Sequence, residues 1–127
     1  MAKQVTTKSP KILVVDDEEG IRESLKLILS DHYDLVVTDS GEQALRLVEG
    51  DPAIGLVLMD IKMPKVNGLD VLKSMKARRP DLNVIMVTGY KTVETASEAA
   101  HLGANGYIIK PFKSDEILKT VQRNLDK

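Results

Sequence analysis

The chain of 127 residues contains no cysteine and no tryptophan, and only four of its residues are aromatic. Without cysteine it can hold neither a disulfide framework nor a cysteine-ligated zinc ion. No apolar run approaches the roughly 20 residues that a membrane-spanning helix needs. Residues 1–10 lack the apolar core of a secretory signal. These absences predict a protein without a membrane partner, and they fit a cytoplasmic location.

An excess of charge of one sign is also missing, since 18 Lys and Arg face 19 Asp and Glu for a formal net charge of −1. Nothing suggests the clustered basic residues that bind nucleic acid. The Gly-x-x-x-x-Gly-Lys phosphate loop and the Gly-x-Gly-x-x-Gly dinucleotide motif are both absent. Neither His32 nor His101 lies in a cluster with metal-ligand spacing. The sequence therefore supports no binding of nucleic acid, ATP or a dinucleotide.

Apolar residues make up 43% of the chain, which is enough for one folded domain with a real core. Short runs that are apolar on both faces alternate five times with helical patterns. This alternation predicts an α/β fold with a parallel sheet and right-handed crossovers. Residues 1–10 are predicted to be a polar lead-in and residues 11–127 the domain. The predicted strands cover 11–16, 33–38, 55–60, 83–88 and 105–109, and the predicted helices cover 18–30, 41–49, 67–78, 92–102 and 114–126.

Two helix starts have recognisable caps. Ser40 stands three residues before Gln43, which is the spacing of a capping box at the second helix. Asn67-Gly68 is predicted to form the cap or turn of the third helix.

The fourth helix is rich in alanine, and Gly103 is predicted to end it in the left-handed conformation. We expect this helix to bury mainly Val93, Ala96, Ala99 and Ala100. Because alanine offers little apolar area, the helix should be held less firmly than the others.

Four of the five predicted strands end in polar residues suited to phosphoryl chemistry. Asp16 and Asp17 follow the first strand, Asp60 the third, Thr88 the fourth and Lys110 the fifth. In an open α/β sheet, ligands bind beyond the carboxyl ends of the strands. The second strand instead ends in a sequence that starts a helix. A flavodoxin-like doubly wound sheet, with strand order 2-1-3-4-5, brings the other four strands side by side.

Taken singly, each polar residue has a structural explanation. Asp60 fits a turn former, and Asp16 and Asp17 belong to an acidic run that favours a helix N-terminus. Taken together, they predict that Asp60 is a nucleophile that forms an acyl phosphate. Three crowded carboxylates would repel one another unless a cation were present. Since carboxylates, waters and phosphate are the ligands that Mg2+ prefers, the cluster predicts a magnesium site.

The remaining polar residues complete this hypothesis. Thr88 could donate its hydroxyl to a phosphoryl oxygen. Lys110 could pair with Asp60 at rest and with the phosphoryl group afterwards. The sequence leaves the isomer of the bond between Lys110 and Pro111 open. Tyr107 is either a packed aromatic or a ring that moves inward when Thr88 shifts.

In these residues the chain resembles the receiver domain of bacterial two-component response regulators, from about residue 11 to residue 125. The resemblance implies a flavodoxin-like fold and a phosphorylation-activated signalling switch that catalyses only its own phosphoryl transfer and autodephosphorylation. The matching motifs are Asp16-Asp17, the segment Leu58-Met59-Asp60-Ile61-Lys62-Met63-Pro64 with Gly68, Thr88-Gly89 and Lys110-Pro111-Phe112.

The resemblance also implies the residues of a magnesium-dependent phosphorylation site. Asp60 matches the phospho-acceptor of the family. Asp16 and Asp17 match its acidic pair at Mg2+, and the backbone carbonyl of Lys62 matches the third protein ligand.

Further positions match the switch elements of the family. Thr88 matches the switch hydroxyl, Lys110 the phosphate-contacting lysine and Tyr107 the switch aromatic. Gly89 stands where a small residue leaves the phosphoryl group room to enter.

Two other positions are variable in the family, and a third departs from its common residue. Lys62 and Tyr90 occupy positions that tune the lifetime of the phosphoryl group. Lys65 stands where glycine is common, which leaves the fine shape of its loop open.

The implied phosphoryl donor is a sensor histidine kinase or a histidine phosphotransfer protein, and small acyl phosphates can also serve. The docking surface of the family corresponds to the first helix, with Gly20, Ile21 and Arg22, and to the Pro111-Phe112 loop. The face formed by the fourth helix, the fifth strand and the fifth helix would control an effector that the sequence does not identify. A phosphorylation-dependent homodimer through this face is a habit of the family.

Three alternatives compete with this hypothesis. A hydrolase of the haloacid-dehalogenase type needs an acid two residues after its nucleophile, where this chain has Lys62. A flavin carrier of the same sheet order would need a phosphate loop after the first strand, where Asp16 and Asp17 would repel the phosphate. The third alternative is a receiver-like scaffold that is never phosphorylated.

Overall fold

The computed structural model describes residues 10–125, which form a five-stranded sheet flanked by five helices. The strands are β1 (Lys11–Val15), β2 (Leu35–Thr38), β3 (Ile54–Met59), β4 (Asn83–Thr88) and β5 (Gly106–Ile109). The helices are α1 (Glu19–Leu29), α2 (Gly41–Gly50), α3 (Gly68–Arg78), α4 (Val93–His101) and α5 (Ser114–Leu125). Every predicted strand and helix is present, within two residues of its predicted bounds. Residues 1–9 of the predicted lead-in, and residue 126 of the last predicted helix, lie outside the described residues.

All strands pair in parallel in the order β2-β1-β3-β4-β5, which confirms the predicted flavodoxin-like topology. The register pairs Val15 with Met59, and Met59 with Met86. At the other side of β4, Thr88 pairs with Ile109. The carboxyl ends of β1, β3, β4 and β5 therefore meet at one edge of the sheet, and β2 lies at its margin.

Two apolar clusters cover the two faces of the sheet. Leu13 and Val57 point into the cluster that α2, α3 and α4 close. Ile12 and Leu56 point into the opposite cluster, which α1 and α5 close. Because helices cover both faces, the strands are apolar on both sides. Polar side chains of these strands can therefore reach solvent only where the strands end.

Among the described residues, no helix has the length and apolar character that crossing a membrane requires.

The predicted caps form, with one difference. Ser40 Oγ accepts a hydrogen bond from the Gln43 N–H at 3.1 Å. The side chain of Gln43 does not return to Ser40, because its Oε1 accepts from Thr38 Oγ1 at 2.5 Å. The buried Thr38 hydroxyl also accepts from the Ser40 N–H at 3.2 Å, so it replaces one half of the capping box. Asn67 caps α3 as predicted, since its Oδ1 accepts from the N–H of Leu69 at 2.8 Å.

Helix α4 buries a narrower stripe than the sequence analysis predicts. Ala99 is fully buried and Ala96 is half-buried, whereas Val93 is 78% exposed and Ala100 is exposed. A helix turns about 100° per residue, so Ala96 stays close to the direction of Ala99 while Val93 and Ala100 point roughly 100° or more away. The prediction for these two residues was wrong. Gly103 follows the helix with a φ of +104°, which confirms the predicted left-handed end.

Candidate functional site

The strand ends place two buried aspartates beside each other. Asp16 follows β1, and its N–H donates to the carbonyl oxygen of Thr38 at 3.2 Å. Asp60 follows β3, and its N–H donates to the carbonyl oxygen of Val15 at 3.1 Å. The two residues are only 2% and 6% exposed respectively. Each aspartate thus continues the hydrogen bonding of the sheet for one residue, which fixes its position.

Asp17 joins these two residues in an acidic cluster. One carboxylate oxygen of each of Asp16, Asp17 and Asp60 lies within 4.8 Å of those of the other two. Asp16 and Asp60 are buried, and Asp17 is exposed toward solvent. Hard oxygen ligands at this spacing, open on one side, fit a divalent cation that keeps some of its waters. The donor set therefore agrees with the predicted magnesium site.

Backbone N–H groups orient the two buried carboxylates. Asp16 Oδ1 accepts from the Glu18 N–H at 2.9 Å. Asp60 Oδ1 accepts from the Ile61 N–H at 2.7 Å and, more weakly, from the Lys62 N–H at 3.4 Å. The other oxygen of each carboxylate, Oδ2, is turned to a shared cation.

That cation is the ammonium group of Lys110, at the end of β5. Its Nζ lies 2.9 Å from Asp16 Oδ2, 2.9 Å from Asp60 Oδ2 and 3.0 Å from Glu18 Oε1. The backbone N–H of Lys110 donates to the Thr88 carbonyl oxygen at 2.8 Å, which holds the residue to β4. The Lys110–Pro111 bond, which the sequence left open, is cis.

Burial and charge act in opposite directions on these groups. Burial lowers the pKa of Lys110, but its hydrogen bonds to Asp60, Asp16 and Glu18 outweigh burial and raise the pKa above its ordinary value. Burial raises the pKa of Asp16, and its hydrogen bonds with Glu18 and Lys110 offset this only in part. The lysine therefore stays charged at neutral pH, and among the described residues it is the only protein cation that contacts the carboxylates of Asp16 and Asp60.

Thr88 and Tyr107 are connected through the backbone of Tyr90. Thr88 is buried, and its Oγ1 accepts from the Tyr90 N–H at 3.3 Å. The hydroxyl of Tyr107 donates to the Tyr90 carbonyl oxygen at 3.0 Å. Burial, followed by the charge of Asp60, raises the pKa of Tyr107 above its ordinary value. Thr88 therefore lies at the site, and Tyr107 lies close enough for the charge of Asp60 to act on its hydroxyl. The switch roles of both residues stay predictions.

An open cleft of about 620 Å³ gives solvent access to these groups. Asp60, Thr88 and Lys110 line it together with Gly89 and Tyr90. A β-carbon built on Gly89 would meet no atom within 4 Å, so the space beside Thr88 is free. The cleft can therefore admit a tetrahedral group next to Asp60.

The loop between β3 and α3 forms another wall of the cleft. Lys62 and Asn67 form an antiparallel bridge, and the Gly68 N–H donates to the Ile61 carbonyl oxygen at 2.7 Å. Lys65 lies at the tip with a φ of +73°, in the left-handed region that glycine prefers. The loop is thus closed on itself, and the side chain of Lys62 is exposed.

Sequence reasoning missed Glu18. It explained the acidic run by the macrodipole of the first helix, yet Glu18 reaches across the site to Lys110. The available signal was its position, since Glu occupies the N-cap of α1 where Ser, Thr, Asp or Asn is preferred.

A family model described as the response regulator receiver domain matches residues 12–122 of the chain. The Regulatory protein AtoC of Escherichia coli (strain K12) is 40% identical over 116 residues, which are 91% of this chain and 25% of that protein. The chain spans about a quarter of the length of the curated relatives that it matches.

Solved structures give the same likeness in three dimensions. A response regulator receiver domain protein (CheY-like) from Methanospirillum hungatei JF-1 matches with a TM-score of 0.88 and 32% identity, over 94% of this chain and 95% of that one. The beryllofluoride-activated NtrC4 receiver domain, solved as a dimer, matches with a TM-score of 0.86 and 31% identity, over 91% of this chain and 96% of that one.

Proposed function

The chain belongs to the response regulator receiver domain family of two-component systems, and on that premise we propose that Asp60 is its site of phosphorylation. The domain is a phosphorylation-activated switch. We assign residues 11–127 to it. One observation carries the proposal for the site: the Lys110 ammonium contacts the buried carboxylates of Asp16 and Asp60, both at 2.9 Å, beside an open cleft.

The proposed reaction transfers a phosphoryl group from a phosphohistidine. A carboxylate oxygen of Asp60 attacks the phosphorus atom, so a P–O bond forms while the P–N bond of the donor breaks. The leaving imidazole nitrogen keeps the electron pair of the broken bond. In a small acyl phosphate the carboxylate of the donor leaves instead. The protein gains an acyl phosphate that carries roughly −2 at neutral pH, where Asp60 carried about −1.

The acidic cluster gives this step its metal dependence. The carboxylates of Asp16, Asp17 and Asp60, with the backbone carbonyl of Lys62, would hold Mg2+. When bound, Mg2+ supplies neutralisation of the negative charge on the transferring group. The arrangement of three carboxylate oxygens within 4.8 Å of one another supports this assignment.

Lys110 and Thr88 then respond to the new charge. Lys110 exchanges its contact with Asp60 for a phosphoryl oxygen, to which it donates as a point charge. The Thr88 hydroxyl donates to another oxygen of the group. Because Thr88 and Tyr107 both contact the backbone of Tyr90, a shift of Thr88 is transmitted to Tyr107.

The output is a change in the face formed by α4, β5 and α5. Of the α4 residues only Ala99 is fully buried, so a shift of this helix breaks few apolar contacts. Phosphorylation moves the equilibrium only by its differential stabilisation of the two states. A shift of α4 therefore costs little free energy, and the differential stabilisation by phosphorylation can offset that cost.

The partners of this cycle are a sensor histidine kinase or a histidine phosphotransfer protein, and an effector whose identity the chain does not reveal. On the donor side, Gly20 is exposed and Ile21 half-buried at the start of α1, where they can contact a docked donor together with the Pro111-Phe112 loop. Arg22 lies there too, and its guanidinium donates to the Asp16 carbonyl oxygen at 2.9 Å. A cytoplasmic location and a phosphorylation-dependent homodimer complete the proposal; the dimer of the related NtrC4 receiver supports the latter.

The chain acts in signalling, and its own chemistry is limited to the transfer onto Asp60 and the later hydrolysis of the acyl phosphate. Lys62 and the 43% exposed Tyr90 flank the cleft, where they can restrict the access of water to that bond.

The test is incubation with acetyl phosphate and Mg2+ followed by intact mass measurement, beside the Asp60→Asn variant. We expect one added phosphoryl group in the wild type, and none without Mg2+ or in Asp60→Asn. NMR spectra with beryllofluoride and Mg2+ provide a second readout that does not depend on the lifetime of the adduct. No adduct and no spectral change would favour a scaffold that is never phosphorylated.

A further inference from the structure

Three carboxylates saturate the single ammonium group at the site. Lys110 Nζ carries three N–H donors, and it contacts Asp16 Oδ2, Asp60 Oδ2 and Glu18 Oε1 at 2.9, 2.9 and 3.0 Å. Asp16 and Asp60 are buried, whereas the side chain of Glu18 is 62% exposed. Glu18 therefore holds Lys110 from the solvent side of the cleft.

The carboxylate of Glu18 does not cap its helix through a hydrogen bond. Glu18 is the N-cap of α1, yet its side chain makes no capping hydrogen bond. Its backbone makes the hydrogen bonds at the start of the helix: the N–H donates to Asp16 Oδ1 at 2.9 Å, and the carbonyl oxygen accepts from the Arg22 N–H at 3.1 Å. Within residues 10–125, the contact of the Glu18 carboxylate is with Lys110.

We propose that Glu18 is a positioning residue that competes with the phosphoryl group for Lys110. The inference rests on the proposed function, because it concerns the state of the domain in which an anionic group is attached to Asp60. Lys110 turns to a phosphoryl oxygen by giving up its contact with Asp60, while Glu18 Oε1 still accepts from another of its three N–H donors. The contact with Glu18 draws the ammonium away from the attached group and weakens its hold. Glu18 thereby limits how far phosphorylation shifts the domain toward its active state.

The test measures the affinity for beryllofluoride by NMR titration, at a Mg2+ concentration shown to saturate each variant. In Glu18→Gln the competing charge is gone while the length of the side chain is kept. We expect beryllofluoride to bind about two- to five-fold more tightly, which is the size expected for a partly exposed ion pair.

Two further variants separate competition for Lys110 from a general effect of charge. Glu19→Gln removes the same charge one residue further along, where the carboxylate contacts no cation among the described residues, and it should leave the affinity close to that of the wild type. Glu18→Asp keeps the charge, but its shorter side chain cannot reach Lys110. It should therefore bind beryllofluoride more tightly than the wild type. A Glu18 that only stabilised the helix would change the unfolding temperature without tightening this binding.

The outcomes separate a failure of the proposed function from a failure of the proposed role of Glu18. If the wild type binds no beryllofluoride, the proposed function fails and the role of Glu18 fails with it. If the wild type binds but Glu18→Gln behaves like Glu19→Gln, or binds more weakly than the wild type, only the role of Glu18 is overturned. The same holds if Glu18→Asp keeps the affinity of the wild type, because the effect would then arise from charge at a distance.

Discussion

The α-carbon of Gly68 lies against the backbone of Asp60, so closely that a β-carbon at this position would overlap the carbonyl oxygen of Asp60. The same β-carbon would lie 2.7 Å from the α-carbon of Ile61. Both neighbours are backbone atoms, which cannot rotate away as a side chain could. Glycine is therefore required here for close approach, and the position of the proposed phospho-acceptor depends on the first residue of α3.

Replacing Gly68 by alanine should both destabilise the fold and displace Asp60. We expect Gly68→Ala to lower the free energy of unfolding by about 3 kcal/mol, at the upper end for overpacking because backbone must move. The initial rate of labelling by acetyl phosphate should fall as well. Urea denaturation and intact mass measurement check the two effects.

Gly20→Ala is the matched control. Gly20 lies in α1, and a β-carbon there would meet no atom within 4 Å. Because alanine favours a helix over glycine, this variant should gain about 0.5–1 kcal/mol of stability. A Gly68→Ala protein as stable as the wild type would show that the loop between β3 and α3 can move without harm.

Loss of the Lys110 ammonium should leave two buried carboxylates without a cation. We expect Lys110→Met to lose about 2–3 kcal/mol of stability without divalent ions, somewhat below the range for a fully buried pair because the lysine side chain is 14% exposed. Mg2+ should restore more stability to this variant than it adds to the wild type, since it would then be the only cation facing Asp16 and Asp60. Thermal unfolding with and without MgCl2 measures both effects.

Lys113→Met provides the comparison, because Lys113 is exposed and its side chain contacts no acid among the described residues. It should unfold like the wild type at either Mg2+ concentration. An equal response of Lys110→Met and the wild type to Mg2+ would argue against a shared anionic cluster.

The sequence predicted which side chains meet at one edge of the sheet, because a parallel topology brings the ends of neighbouring strands together. Once the strands order as β2-β1-β3-β4-β5, residues directly after β1, β3, β4 and β5 must lie at one edge. Asp16, Asp60, Thr88 and Lys110 needed no knowledge of side-chain packing to be brought together. Strand periods and helix caps, which are local signals, located the strand ends, and the polar residues at four of those ends indicated the strand order.

The features that escaped prediction depend on packing between distant segments. The reach of Glu18 to Lys110 depends on the exact spacing of α1 and β5, which no local pattern encodes. Val93 is apolar and helical, but only the direction of α4 over the sheet decides that it faces solvent. The close approach of Gly68 to Asp60 is likewise a property of the folded loop.

The tip of the loop between β3 and α3 stores strain that glycine would relieve. Lys65 adopts a φ of +73°, which places its β-carbon close to the backbone. Lys65→Gly should relieve about 1 kcal/mol of strain. Because glycine loses more conformational entropy on folding, the free energy of unfolding should rise by less than this amount. Urea denaturation measures the change.

Lys65→Ala separates strain from the loss of the lysine side chain. Alanine keeps a β-carbon in the left-handed region, so this variant should show no gain in stability. Equal stabilisation by alanine and glycine would mean that the side chain, and not the backbone conformation, was unfavourable.

A pH-dependent ion pair lies at the opposite end of the sheet. Lys11 Nζ contacts Asp51 Oδ2 at 2.7 Å. This hydrogen bond, helped by that from the Ala53 N–H, holds the pKa of Asp51 below its ordinary value of 3.8. A carboxyl whose pKa is lowered by folding stabilises the folded state above its unfolded pKa, and the contribution disappears as the pH falls through the lower folded value.

Asp51→Asn should therefore melt below the wild type at neutral pH, and the difference in melting temperature should shrink as the pH falls below 3.8. Asparagine keeps an Oδ1 that can accept from the Ala53 N–H, so the substitution removes mainly the charge facing Lys11. Asp31→Asn is the control, since Asp31 is exposed and its side chain contacts no cation within residues 10–125. Other carboxylates titrate equally in all three proteins and cancel in the differences. A gap between Asp51→Asn and the wild type that stays constant down to the acid transition would assign the stabilisation to the neutral hydrogen bond instead.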